Sequence, residues 1–73
     1  MKLCDMKERQ SGVISGIEGT PQFKRRLYDL GFVKGQSVRC ENVAILKTPV
    51  SFCVQGAKIA LRKSDAMRID VIV

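Results

Sequence analysis

Apolar residues fall along this chain in short alternating runs, interrupted once by an interval of helical spacing. From Gly12 the run Val13-Ile14-Ser15-Gly16-Ile17 is short, branched and closed by Gly19, which predicts a first strand. Gly16 inside it predicts a bend or a close backbone approach. Thr20-Pro21 then opens a helix, with a hydroxyl to cap exposed amides and a proline whose missing donor is harmless at the first helical position. Gly31 supplies the stop. Between them Phe23, Leu27 and Leu30 recur at i, i+4 and i+7, an apolar stripe of about 60° that predicts the buried side. Lys24, Arg25, Tyr28 and Asp29 point away from it, Arg26 lies at its border, and Arg25 and Asp29 are spaced for an ion pair.

Beyond the turn Val33-Lys34-Gly35, residues Gln36 to Leu46 are strand-like, but their apolar parity changes from Val38 and Cys40 to Val43 and Ile45. A bulge or bend near Glu41-Asn42 follows. Pro49 restarts the chain. Val50, Phe52 and Val54, then Ala57, Ile59 and Leu61, alternate with polar or small residues on either side of Gln55-Gly56, which predicts a hairpin. Ser64-Asp65 offers a cap for one helical turn through Met67, and residues 69–73 form a last strand. Parallel crossovers need a dozen or more residues each. A small SH3-like antiparallel barrel of five or six strands remains, with a short helix after the first strand and a helical turn before the last, its closure removing exposed edges.

With 73 residues, one domain spanning residues 1–73 is the expectation, and only the terminal residues are expected to be loose. The longest unbroken apolar run, Val43 to Leu46, is far short of the roughly 20 residues that a membrane span needs. The cysteines, Cys4, Cys40 and Cys53, are odd in number and form no C-x-x-C, so neither a disulfide framework nor a zinc knuckle is drawn from them. A reducing cytoplasm fits that usage. Of Cys40 and Cys53, opposite strand parities predict one buried and one half-exposed.

The chain has no histidine, and its seven carboxylates lie among polar neighbours, which leaves general acid–base and nucleophilic catalysis without an assigned residue. Glycines 12, 16 and 19 match neither a P-loop nor a dinucleotide fingerprint. No cofactor, metal ligand or catalytic residue is therefore expected. The net charge of +6 is the remaining signal. Lys24-Arg25-Arg26, Lys34, Lys47, Lys58 and Arg62-Lys63 could form a basic face suited to nucleic acid, anionic lipid or an acidic protein surface. Phe23, Phe32 and Phe52 occupy expected core positions, so Tyr28 alone is placed to stack on a base, and nucleic acid is not the expected partner.

The stretch Gly16-Ile17-Glu18-Gly19, followed by Lys24 to Gly35 reading K-R-R-L-Y-D-L-G-F-V-K-G, resembles the FeoA family, with its I-x-G, R-R-L-x-x-L-G and V-x-G elements in that order. Thr48-Pro49-Val50, Phe52 to Gly56 and Ile59 to Ile69 resemble the family's later P-[VI], x-G-x-x-[LI]-A-L-R and A-x-x-I elements. The likeness runs from about Leu3 to Val73. One departure is Glu8-Arg9, where the family favours a P-G turn. The resemblance implies an SH3-like barrel and a non-enzymatic cytoplasmic accessory protein of bacterial ferrous iron uptake. It further implies action with the cytoplasmic GTP-binding part of the FeoB membrane transporter, reaching the membrane only through that partner, as a monomer or weak homo-oligomer. Lys24, Arg25, Arg26, Tyr28 and Lys34 are the candidate partner-binding residues. The competing readings are a small basic nucleic-acid-binding barrel and a regulatory module of a metal-responsive repressor.

Overall fold

The computed structural model describes residues 1–42 and 50–73. Strand β1 (Ser11–Ile17) leads into helix α1 (Pro21–Leu30), then β2 (Ser37–Asn42), β3 (Val50–Val54), β4 (Ala57–Leu61), the single turn α2 (Lys63–Ala66) and β5 (Ile69–Ile72). All five strands pair antiparallel in the order β4-β3-β2-β1-β5, so a meander of four is completed by β5 returning to the free side of β1. Curled around one core, this is the expected SH3-like arrangement. The curl stops short of closure: among the described residues no ladder joins β4 to β5, and the sheet keeps two edges.

Local chemistry explains the helix. The Thr20 Oγ1 accepts the Phe23 amide at 3.2 Å, Pro21 takes the first position, and Gly31 ends the helix at φ 103°. A side chain at Gly31 would be strained by that φ and would put its Cβ 3.1 Å from Val54. Leu27 is fully buried and Phe23 packs half-buried against the core, but Leu30 leaves 41% of its surface exposed, against the expectation for the stripe. The reason is position. Leu30 lies in the last turn, where the groove between α1 and β4 begins and covers it incompletely.

The strands bend where parity changes. Pairing of β2 with β3 shifts between Cys40 and Asn42, as expected, and that of β1 with β5 shifts between Ile14 and Gly16. Of the two features expected at Gly16, the bend is the one present, in that register shift, and its nearest neighbouring atom is 3.9 Å from an added Cβ; the close approach is at Gly12, where an added Cβ would lie 2.8 Å from the Ile72 carbonyl oxygen. Gln55 and Gly56 both have positive φ, 51° and 76°, in the two-residue turn of the β3–β4 hairpin. The expected strand residues Val43 and Ile45, the restart at Pro49 and the charge of Lys47 lie outside the described residues.

Phe32 and Phe52 fill the centre at 0% exposure, with Ile14 and Val38 sealed beside them. Cys40 is buried and Cys53 half-buried, and none of the three cysteines is in a disulfide. Two further expectations are overturned. The amino-terminal end is not loose: Leu3 opens a 3-10 turn, Leu3–Asp5, at 0% exposure, and Met6 is nearly as buried. The Met1 carbonyl accepts from the Val71 amide at 2.8 Å, and Lys2 pairs with Asp70 at 2.8 Å and Glu18 at 3.5 Å. Buried apolar contacts thus tie a segment that polar residues made look free. At α2, neither Ser64 nor Asp65 caps; Arg62 is the N-cap, without a side-chain bond, and its carbonyl accepts the Asp65 and Ala66 amides.

Candidate functional site

Helix α1 buries one narrow side and so holds the opposite residues at fixed helical spacing. Pro21, Lys24, Arg25, Tyr28 and Asp29 line an open depression of about 660 Å³ along that outer side. Tyr28 is 49% exposed, Arg25 is exposed and Lys24 is half-buried. The Arg25–Asp29 ion pair that the spacing offers is absent from the ion pairs of the described residues. Arg25 therefore keeps its guanidinium toward solvent beside a phenol. An aromatic ring and a guanidinium on a rigid helix are groups enriched where proteins touch.

The other two candidates do not line this depression. Arg26 turns toward the fold, reaching Asp65 at 3.8 Å and standing 5.8 Å from the centre of the Phe23 ring, where Arg68 also stands at 5.8 Å. Lys34 is exposed on the turn between α1 and β2. The sequence pattern gives no sign of Arg68. Its link to Phe23 joins elements 45 residues apart, beyond the reach of any local periodicity.

Among the described residues no group of three or more His, Cys, Asp or Glu side chains could hold a metal ion, and no charged side chain is buried. The thiol pKa of Cys40 is raised, first by burial and then by Glu8 and Glu41; that of Cys4 is raised by burial and by Asp5. Neither is tuned as a nucleophile, which needs a lowered value. No helix among the described residues is long and apolar enough to cross a membrane.

A curled five-stranded antiparallel sheet with a helix inserted after its first strand, presenting open surfaces, defines an SH3-like module. The profile of the FeoA domain matches residues 1–73, and the chain belongs to that family. FeoA of Stenotrophomonas maltophilia, solved in complex with zinc and described as a prokaryotic SH3 domain protein, is 32% identical, with a TM-score of 0.85 over 99% of this chain and 89% of that one. A fusion of Fe(2+) transport protein A with the Fe(2+) transporter FeoB from Porphyromonas gingivalis is 31% identical over 71 residues. That match takes in 97% of this chain and 8% of the relative, so the chain spans a small part of that protein's length. A manganese-dependent transcriptional repressor shares the fold at a TM-score of 0.89 and 19% identity, over 99% of this chain and 40% of that one.

Proposed function

We propose that this chain is a non-enzymatic, cytoplasmic accessory module of ferrous iron uptake. Lys24, Arg25 and Tyr28 of α1 dock on an acidic surface of the cytoplasmic GTP-binding part of an FeoB-type transporter. The observation that carries the reading is the Porphyromonas gingivalis relative, in which a region 31% identical to this chain is covalently joined to FeoB. Modules held together by the peptide chain in one protein must find each other by surface contact when they are separate. The basic helix face suits such a contact, because charge guides the encounter and the tyrosine supplies apolar area at small conformational cost.

The test is binding of the chain to the isolated cytosolic part of FeoB, with GTP analogue, with GDP and without nucleotide. Binding is expected in at least one state. The double substitution Lys24→Glu and Arg25→Glu should weaken it by about tenfold or more with unchanged circular dichroism. Unaltered affinity of the charge-reversed protein refutes the assigned face. RNA binding that declines steeply with salt, without FeoB binding, would replace the whole reading.

A further inference from the structure

A second surface remains, on the side of α1 that turns toward the sheet. A groove of about 380 Å³ runs between α1 and β4, with Arg26, Leu27 and Leu30 on one wall and Ala60 and Leu61 on the other. Arg62 and Asp65 close one end. Leu27 and Leu61 are buried at the base of those walls, and Leu30 is the apolar side chain left partly uncovered. Ala60 and Leu61 are consecutive residues, and consecutive strand side chains point to opposite faces. Both can line one groove only where it follows the edge of the strand.

That edge is open. β4 is the outermost strand on its side and pairs only with β3 among the described residues. The other end of the sheet is treated differently, because Met1 occupies the outer edge of β5: its carbonyl accepts the Val71 amide at 2.8 Å and its ammonium donates to the Val71 carbonyl at 3.3 Å. Among the described residues, the amino-terminal segment covers one edge and no strand covers the other. A bare edge displays backbone donors and acceptors to which an extended peptide can add as a strand.

Side-chain parity specifies what fits. Toward the core side, an added strand would meet Leu30 and Leu61. Toward the outer side it would meet Lys58 and Arg62, exposed residues that share the face of Ala60 by two-residue alternation. Arg62 makes no ion pair among the described residues, and Arg26 reaches Asp65 only at 3.8 Å with 67% of its side chain exposed. Such an exposed pair adds little to stability and yields readily to a competing carboxylate. A second copy of this chain carries the same +6 charge and is repelled. We propose that the α1–β4 groove takes an extended segment of another protein in which apolar and acidic residues alternate. Its backbone pairs with the edge of β4, its apolar side chains cover Leu30, and its carboxylates face Lys58 and Arg62.

The experiment titrates isotope-labelled protein with a blocked peptide of about six residues, alternating isoleucine and glutamate, and with its isoleucine–lysine counterpart. Amide shifts should concentrate at residues 26–30 and 57–62, and the glutamate peptide should bind at least about tenfold more tightly than the lysine one. Leu30→Ser and Arg62→Glu, both at exposed positions, should each weaken it by about fivefold or more, while the Lys24→Glu, Arg25→Glu double variant binds it normally. Equal affinity for both peptides, shifts centred elsewhere, or no binding up to about 1 mM peptide overturns the proposal. So does concentration-dependent self-association abolished by Leu30→Ser, which would make a second copy the occupant, or binding of anionic vesicles lost in the same variants.

Discussion

At the scale of single residues, conformation and burial follow side-chain size and charge closely. Cys40 shows this best. Its thiol sits at 0% exposure, and burial raises its pKa above the ordinary value of 9.0. A group whose folded pKa is raised contributes stability below its unfolded pKa and loses it as pH climbs toward the folded value. Urea stability should therefore decline as pH rises above about 9, and Cys40→Ala should flatten part of that decline relative to the parent protein. A parent whose stability is level across that range would contradict the assignment. Arg9 shows the opposite side of the rule: it holds a left-handed φ of 67°, while its amide donates to the Cys40 carbonyl at 2.7 Å. A bond to the neighbouring strand keeps a conformation that a side chain disfavours.

Among the elements, those built from neighbouring residues were the legible ones. The bounds of α1 follow from Thr20, Pro21 and Gly31, and replacing Thr20 with Ala should lower stability by about 1 kcal/mol through loss of the bond to the Phe23 amide. Chemical denaturation of the two proteins measures it, and an unchanged midpoint would show the cap to be idle. The β3–β4 turn was equally readable, because two positive φ values suit Gln55-Gly56 better than a longer connection. What escaped were features set by distant partners. Leu30 reads as core on a helical wheel, yet its exposure depends on where β4 ends. Ala57 alternates correctly with Ile59 and Leu61 but stays exposed on an edge strand. The grouping behind the proposed docking face was legible in part: Lys24, Arg25 and Tyr28 share a face because α1 imposes its spacing, whereas the departure of Arg26 toward Asp65 depends on α2, 39 residues further along the chain.

For the molecule as a whole, the amino-terminal segment matters more than its pattern announces. Leu3 is separated by most of the chain from β5, whose residues it accompanies, so no periodicity could reveal it. Leu3→Ala should cost about 2–5 kcal/mol, a large share of the stability a domain this small can have. Thermal or urea unfolding would register the loss, and a shift of a few tenths would mean that the segment only lies on the surface. The ammonium of Lys2 has a raised pKa, first through its hydrogen bond to Asp70, so this clasp holds below 10.5 and releases only as pH climbs through the raised value.

The bonds between Met1 and Val71 close the polypeptide path almost into a ring. A short bridge joining the two ends and a cut at the exposed Gln55–Gly56 turn would leave every strand beside its present neighbours. The architecture is therefore suited to circular permutation, and anything grafted at either terminus would hang from the same pole of the domain.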